Sequence, residues 1–163
     1  MFADKNAVLA GLANTPKSLS AFVADIPEEL RQRRRGQGFW TIAEHLDHLA
    51  QVQPMLLERL RRFVAEETPS FIPFIPESGE EQREKSCLPA EQALQQFTAM
   101  RRNQLELLFA VDETIWQRQG SHPEYDRYSL VILTRHMLMH DYWHMYRMEE
   151  LWLAKDQFLT ALG

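Results

Sequence analysis

Apolar positions in this chain recur at helical steps and almost never alternate. Ile42, Leu46, Leu49, Leu56, Leu60 and Phe63 fall three, four or seven residues apart, which gathers side chains on one face of an α-helix. The pattern predicts a helix over 41–67. Thr41 and Glu44 mark its start as a capping box, the hydroxyl accepting from the third residue's amide while the carboxylate reaches back. Pro54 removes one backbone hydrogen bond and predicts a kink. An earlier helical segment covers 4–27, with a break expected near Thr15-Pro16, where Thr suits an N-cap and Pro the first helical position. A third follows Leu88-Pro89 and runs to about residue 110 through Ala93, Leu94, Phe97, Met100, Leu105 and Leu108. The fourth starts at Tyr128 or Ser129 and ends near Leu153. It is apolar or aromatic on most sides, as a buried helix is. A tail from Lys155 to Leu162 is expected to pack as a fifth piece.

Between the second and third helices lie residues 68–88, the main non-helical stretch. It holds the doublet Phe71-Ile-Pro-Phe-Ile-Pro76 and the charged run from Glu77 to Lys85. About 20 extended residues reach ~65 Å, whereas a helix over 41–67 is only ~40 Å long. The loop can therefore return along the second helix and leave helices two and three parallel. The expected fold is all-α: one domain over 1–163, a four-helix bundle running up-down-down-up. Segment 111–127 is also long enough for a crossover.

Composition narrows the function classes. A chain of 163 residues, 45% hydrophobic and 25% charged, suits one ordinary globular domain. A net charge of -5 argues against nucleic-acid binding, which needs a basic surface. The local clusters Arg31, Arg33, Arg34, Arg35 and Arg59, Arg61, Arg62 read as solvated helix ends or faces. Cys87 is the single cysteine, so no intramolecular disulfide forms, and no base stands beside it. Asp4 stands where a signal peptide would be basic, and no run approaches ~18 apolar residues. No membrane contact is expected, and the cytoplasm is the expected compartment.

The chemistry concentrates in His136, His140 and His144, four residues apart on the fourth helix. Side chains at i and i+4 stack on one face, and two imidazoles so placed can approach one metal ion at about 2.0–2.1 Å. All three span ~12 Å of axis, too far to share one ion without strain, so His136 is expected to support the site from a turn away. A further ligand must come from His45 or His48. Periodicity leaves that choice open, because His45 is nearer the centre of the apolar stripe and His48 nearer its edge. A di-iron carboxylate site is not expected, since no Glu stands three residues before any histidine and Asp141-Tyr-Trp-His144 is the nearest match. His140-Asp-Tyr-Trp-His144 also approaches H-E-x-x-H, whose acid is a general base. Asp141 is therefore a candidate base, although one methylene shorter; a solvated carboxylate or a partner behind a ligand suits it better. No phosphate-binding loop or G-x-S-x-G elbow occurs.

Trp40-Thr41, Glu44 and His48-Leu49, followed late in the chain by His140-Asp-Tyr-Trp-His144, resemble the DinB/YfiT-like superfamily of metalloenzymes. The likeness covers most of the chain and rests on the order and separation of short motifs. It implies a metal triad of His48, His140 and His144, with His136 where such proteins often carry another histidine and His45 beside the site. The implied cofactor is one divalent ion, zinc first and nickel second. The implied chemistry is transfer to or from a low-molecular-weight thiol, or hydrolysis, on a small-molecule substrate. Arg147 stands where the family often has Gln, and a guanidinium there would hold an anionic substrate or weaken the metal. The competing expectation is a non-catalytic metal- or small-molecule-binding bundle. Either form is expected to be a homodimer.

Overall fold

In the computed structural model, which describes residues 4–73 and 87–159, helix α1 (Lys5–Asp25) runs through Pro16 without a break. The missing amide of a proline orphans the carbonyl four residues earlier. Here the hydroxyl of Thr15 donates to that carbonyl, Leu12 O, at 3.0 Å. The residue expected to cap a new helix instead repairs the old one.

After a short turn α2 (Glu28–Arg31), the span expected as a single helix over 41–67 forms two pieces, α3 (Ile42–Gln51) and α4 (Gln53–Ala65). Thr41 caps α3 as its sequence implies: the Glu44 amide donates to Thr41 Oγ1 at 3.1 Å and the Thr41 amide donates to Glu44 Oε2 at 2.6 Å. Pro54 explains the division at Val52, since it has no proton for the carbonyl of Ala50. The amide of Val52 donates to both Ala50 and His48. Buried Gln53 donates through Nε2 to Leu49 O at 2.8 Å, and Gln104 Nε2 donates to Gln53 at 3.1 Å. Polar groups freed at the division are thus tied to the neighbouring helix.

Helix α5 (Ala90–Ala110) follows Pro89, and a short α6 (Glu113–Trp116) follows Asp112, whose carboxylate accepts from two amides. Segment 111–127, expected as a crossover, then forms an antiparallel hairpin of β1 (Gln119–His122) and β2 (Tyr125–Ser129). Ser121 donates to Pro69 O and Phe71 donates to Ser121 O, both at 2.9 Å. Gly120 permits this approach, because a Cβ there would lie 2.8 Å from Pro69 O. Helix α7 (Leu130–Leu153) is capped by Ser129, whose hydroxyl accepts from Ile132 N at 3.3 Å. Of the expected fifth piece, the described residues form a 3₁₀ turn, Asp156–Phe158, and residues 160–162 lie outside them. The charged run 77–85 and residues 74–76 of the doublet lie outside the described residues.

Contacts order the helices. Along α1 and α7 the pairs Asp4–Arg135, Gly11–Leu138 and Phe22–Trp152 rise together, the sense of a parallel pair. Between α3–α4 and α7 the pairs His45–His144, His48–His140 and Arg59–Tyr128 run oppositely. Asp47–Leu88 and Gln53–Gln104 rise together, so α5 follows α3–α4. Two apolar clusters fill the interior, one around Leu12, Leu60, Phe63, Leu108 and Leu130, the other around Leu19, Ile42, Leu46, Phe97 and Met148.

The first arginine cluster is not simply a solvated face. Arg31 donates to Val23 O and Ile26 O at the end of α1, and Arg35 donates to Leu151 O and Ala154 O at the end of α7. Cations placed on terminal carbonyls satisfy orphan acceptors and oppose the negative end of the helix dipole. Among the described residues, no helix is long and apolar enough to cross a membrane.

Candidate metal centre

His45 near the start of α3 and His48 in its last turn both face α7. His48 Nε2 lies 3.2 Å from His140 Nε2, and His140 Nε2 lies 3.2 Å from His144 Nε2. One nitrogen from each of the three falls within 4.8 Å of the others. Four-coordinate zinc with nitrogens at about 2.0–2.1 Å places ligand atoms ~3.3 Å apart. The donor set fits such an ion with little adjustment. The three histidines implied as ligands do converge.

His45 is also buried here, in another role. Its Nδ1 lies 2.8 Å from Nδ1 of His144. If His144 presents the lone pair of Nε2 to a metal, its proton sits on Nδ1 and is donated to His45. That is the outer hydrogen bond that fixes a ligand's tautomer and ring plane. Trp40 closes the outer wall, with its ring centroid 5.2 Å from those of His45 and His48 and 6.1 Å from that of His144.

Burial pushes the pKa of His48 and of His140 down to about 4. His45 is also pushed to about 4, first by burial and then by the charge of Arg147. His144 is driven lower still by burial and its three imidazole neighbours. All four are neutral at pH 7, the state that offers a lone pair to a cation.

These depressed values set a pH dependence for the metal-free protein. Unfolded histidines titrate near 6.5, so the unfolded chain gains protons first as pH falls. The stability held by the four groups is complete above about pH 6.5 and is lost toward pH 4. Asp141, raised to about 6 by burial, works oppositely between about pH 4 and 6, but it is one group against four. Urea unfolding with a chelator present should show a loss on the order of several kcal/mol between pH 7.5 and pH 5. Equal midpoints at the two values would contradict the buried neutral cluster.

His136 is a turn away, its ring 5.1 Å from Tyr125 and 6.5 Å from Tyr128. Asp141 points elsewhere, so the general-base reading has no geometric support. Its carboxylate accepts from Arg101 Nη2 at 2.7 Å, with both side chains only 1% exposed. Arg147 is buried, not on the surface, and pairs with Glu150. Its charge acts on His45.

A cavity of about 290 Å³ opens beside the triad, with His48 and His140 in its lining and Val52, Leu56, Leu133 and Met137 in its apolar walls. Arg59, His122 and Tyr128 line it too. None of these three stands out in the sequence as a site residue. Arg59 reads in sequence as part of a solvated basic face, and His122 and Tyr128 belong to the hairpin, which lacks the apolar alternation that marks a strand. An arginine on the same helical face as apolar Val52 and Leu56 was the available signal.

Comparison with known proteins agrees with this fold. The structure superposes on that of YfiT from Bacillus subtilis with a TM-score of 0.79 at 19% sequence identity, covering 93% of this chain and 87% of that one. YfiT is described as a probable metal-dependent hydrolase with an unusual four-helix bundle topology. No curated protein matches the chain. The family model of the DinB superfamily matches residues 12–155, which takes in Trp40, the capping box and all three converging histidines. The chain belongs to the DinB superfamily.

Proposed function

We propose that this protein is a cytoplasmic metal-dependent enzyme in which His48, His140 and His144 hold one divalent ion, zinc first and nickel second, and a small molecule reacts in the adjoining cavity. The observation that carries the reading is the cavity itself, because it opens on His48 and His140. A structural zinc site is closed by four protein ligands, whereas a catalytic one keeps a position free. When bound, a divalent ion in such a site lowers the pKa of the water or thiol that joins it and so supplies a nucleophile near neutral pH.

The protein's own groups do the rest. Three neutral imidazoles bring no negative charge, so the full charge of the ion favours an anionic fourth partner. His45 holds the proton of His144 away from the ligand face. Trp40 covers the imidazoles on one side, and Val52, Leu56 and Met137 exclude water from the substrate's apolar part. Hydrolysis, the activity ascribed to YfiT, and transfer to a low-molecular-weight thiol both suit this arrangement. We favour the thiol reading on family resemblance; its chemistry differs only in the nucleophile.

The rival is a non-catalytic dimeric binding bundle, and one observation favours it: Met139, Tyr142, Trp143 and Tyr146 are exposed along α7. Such a stripe suits a second copy of the chain, but it leaves the cavity without a purpose. Cobalt substitution separates the two. Tag-free protein loaded with cobalt should show the strong visible absorption of a four-coordinate ion, and adding mercaptoethanol should change it. A spectrum indifferent to every thiol, with no ester hydrolysis, would leave the binding bundle standing.

A further inference from the structure

We propose that the cavity beside the histidines receives a small substrate with a carboxylate at its far end, and that Arg59 is the residue that selects this anion. The inference rests on the reading of the metal centre above and adds the class of substrate.

The cavity has two chemically different ends. His48 and His140 line one, Arg59 and Tyr128 the other, and between them in the chain the lining includes Val52, Leu56, Leu133 and Met137 with the single imidazole of His136. At about 290 Å³ it sits at the small end of ligand pockets, so it suits a compact molecule. A polar group that meets the metal, a short apolar middle and a negatively charged tail match that order of linings.

Arg59 is held in place by the protein yet keeps hydrogen-bonding capacity. Its Nη2 donates to Ile72 O at 2.7 Å, its Nη1 donates to the Tyr128 hydroxyl at 3.4 Å, and its guanidinium lies 5.7 Å from the Phe71 ring. A guanidinium carries five N–H donors, and these contacts use two. Among the described residues, no carboxylate forms an ion pair with Arg59. The Tyr128 hydroxyl accepts from Arg59, so its own proton remains to be donated. Together they offer a carboxylate one charged donor and one neutral donor from a fixed frame, the arrangement in which Arg exceeds Lys. Glu124 also lines the cavity, on the exposed hairpin turn, where solvent and salt screen its opposing charge. Arg147, the guanidinium that sequence spacing suggested for this task, is committed to Glu150 and is not among the lining residues.

The test compares matched probes that differ only in the tail. Calorimetry on zinc-loaded protein uses 6-mercaptohexanoate and 6-mercaptohexanol; ligand-observed NMR on metal-free protein uses hexanoate and hexanol. A charge-assisted hydrogen bond predicts that the acid binds about 10-fold or more tightly than the alcohol. Arg59→Gln should bring that ratio to about one while leaving the alcohol's affinity in place, and Arg59→Lys should keep part of it. Tyr128→Phe, which keeps the guanidinium and the ring, should lower the ratio about 3–5-fold, and it serves if Arg59→Gln folds poorly. A preference in either form of the protein that these variants reduce supports the proposal. It is overturned if acid and alcohol bind equally in both forms, if the preference survives Arg59→Gln, or if that change weakens both probes alike. Failure to take up zinc, with the hexanoate preference intact, would count against the metal-centre reading alone.

Discussion

Replacing His144 by glutamine abolishes tight binding of one zinc ion per chain, whereas the same change at His136 leaves it intact. His144 occupies the centre of the cluster: its Nε2 faces His140 at 3.2 Å and its Nδ1 is held by His45. Its loss removes a ligand and strands an outer partner together. His136 instead packs against the tyrosines of the hairpin. His45→Leu should fall between the two, with stoichiometry kept and affinity reduced about 10–100-fold, the usual cost of losing an outer-shell partner. Competition with a chromophoric chelator measures all three. Equal losses at His136 and His144 would show that the ion is held elsewhere along α7.

Substituting Asp141 by alanine costs about 3–5 kcal/mol of stability, the penalty for leaving a buried charge without its partner. Arg101 is among the largest fully buried side chains, and burial already pushes its pKa down against the pull of Asp141. Among the described residues its Nε and Nη1 have no hydrogen-bond partner, so Asp141 is its one charged anchor. Replacing the pair together, Arg101→Met with Asp141→Leu, should recover most of the loss, since well-packed apolar residues often match a buried ion pair. Urea unfolding of metal-free protein at pH 7.5 makes the comparison. A single-variant cost below about 1 kcal/mol would mean that Arg101 finds water or another partner, and that the pair is not closed off from solvent.

Most of the helical frame is legible in the chain because its signals are local. The Thr41–Glu44 box and Ser129 each satisfy a terminal backbone group within a few residues, and Pro89 marks the start of α5 by its own restricted backbone, so their positions can be read without knowing the fold. Pro16 is not legible in that way. Pro16 was expected to break α1, and only the hydroxyl of Thr15 turned toward Leu12 O explains why it does not. The hairpin escapes notice because its strands are short and mostly exposed. Its place is set by Pro69 and Phe71, some fifty residues earlier. At the site, the i, i+4 pair announces itself, while the choice between His45 and His48 depends on how α3 packs against α7. The same holds for Asp141 and Arg147. Their spacing put them near the histidines, but Arg101 and Glu150 determine where each carries its charge.

The four central imidazoles come from two stretches of chain far apart in sequence, with 92 residues separating His48 from His140. An unfolded chain retains only neighbours within one helix, so it holds no centre of this kind. An ion gripped by both stretches would act as a removable crosslink. It would close a long loop and stabilise the folded form in proportion to RT ln(1 + [M]/Kd). Thermal stability would then report occupancy, and chelation would soften the packing of α3 on α7 while each helix kept its own hydrogen bonds.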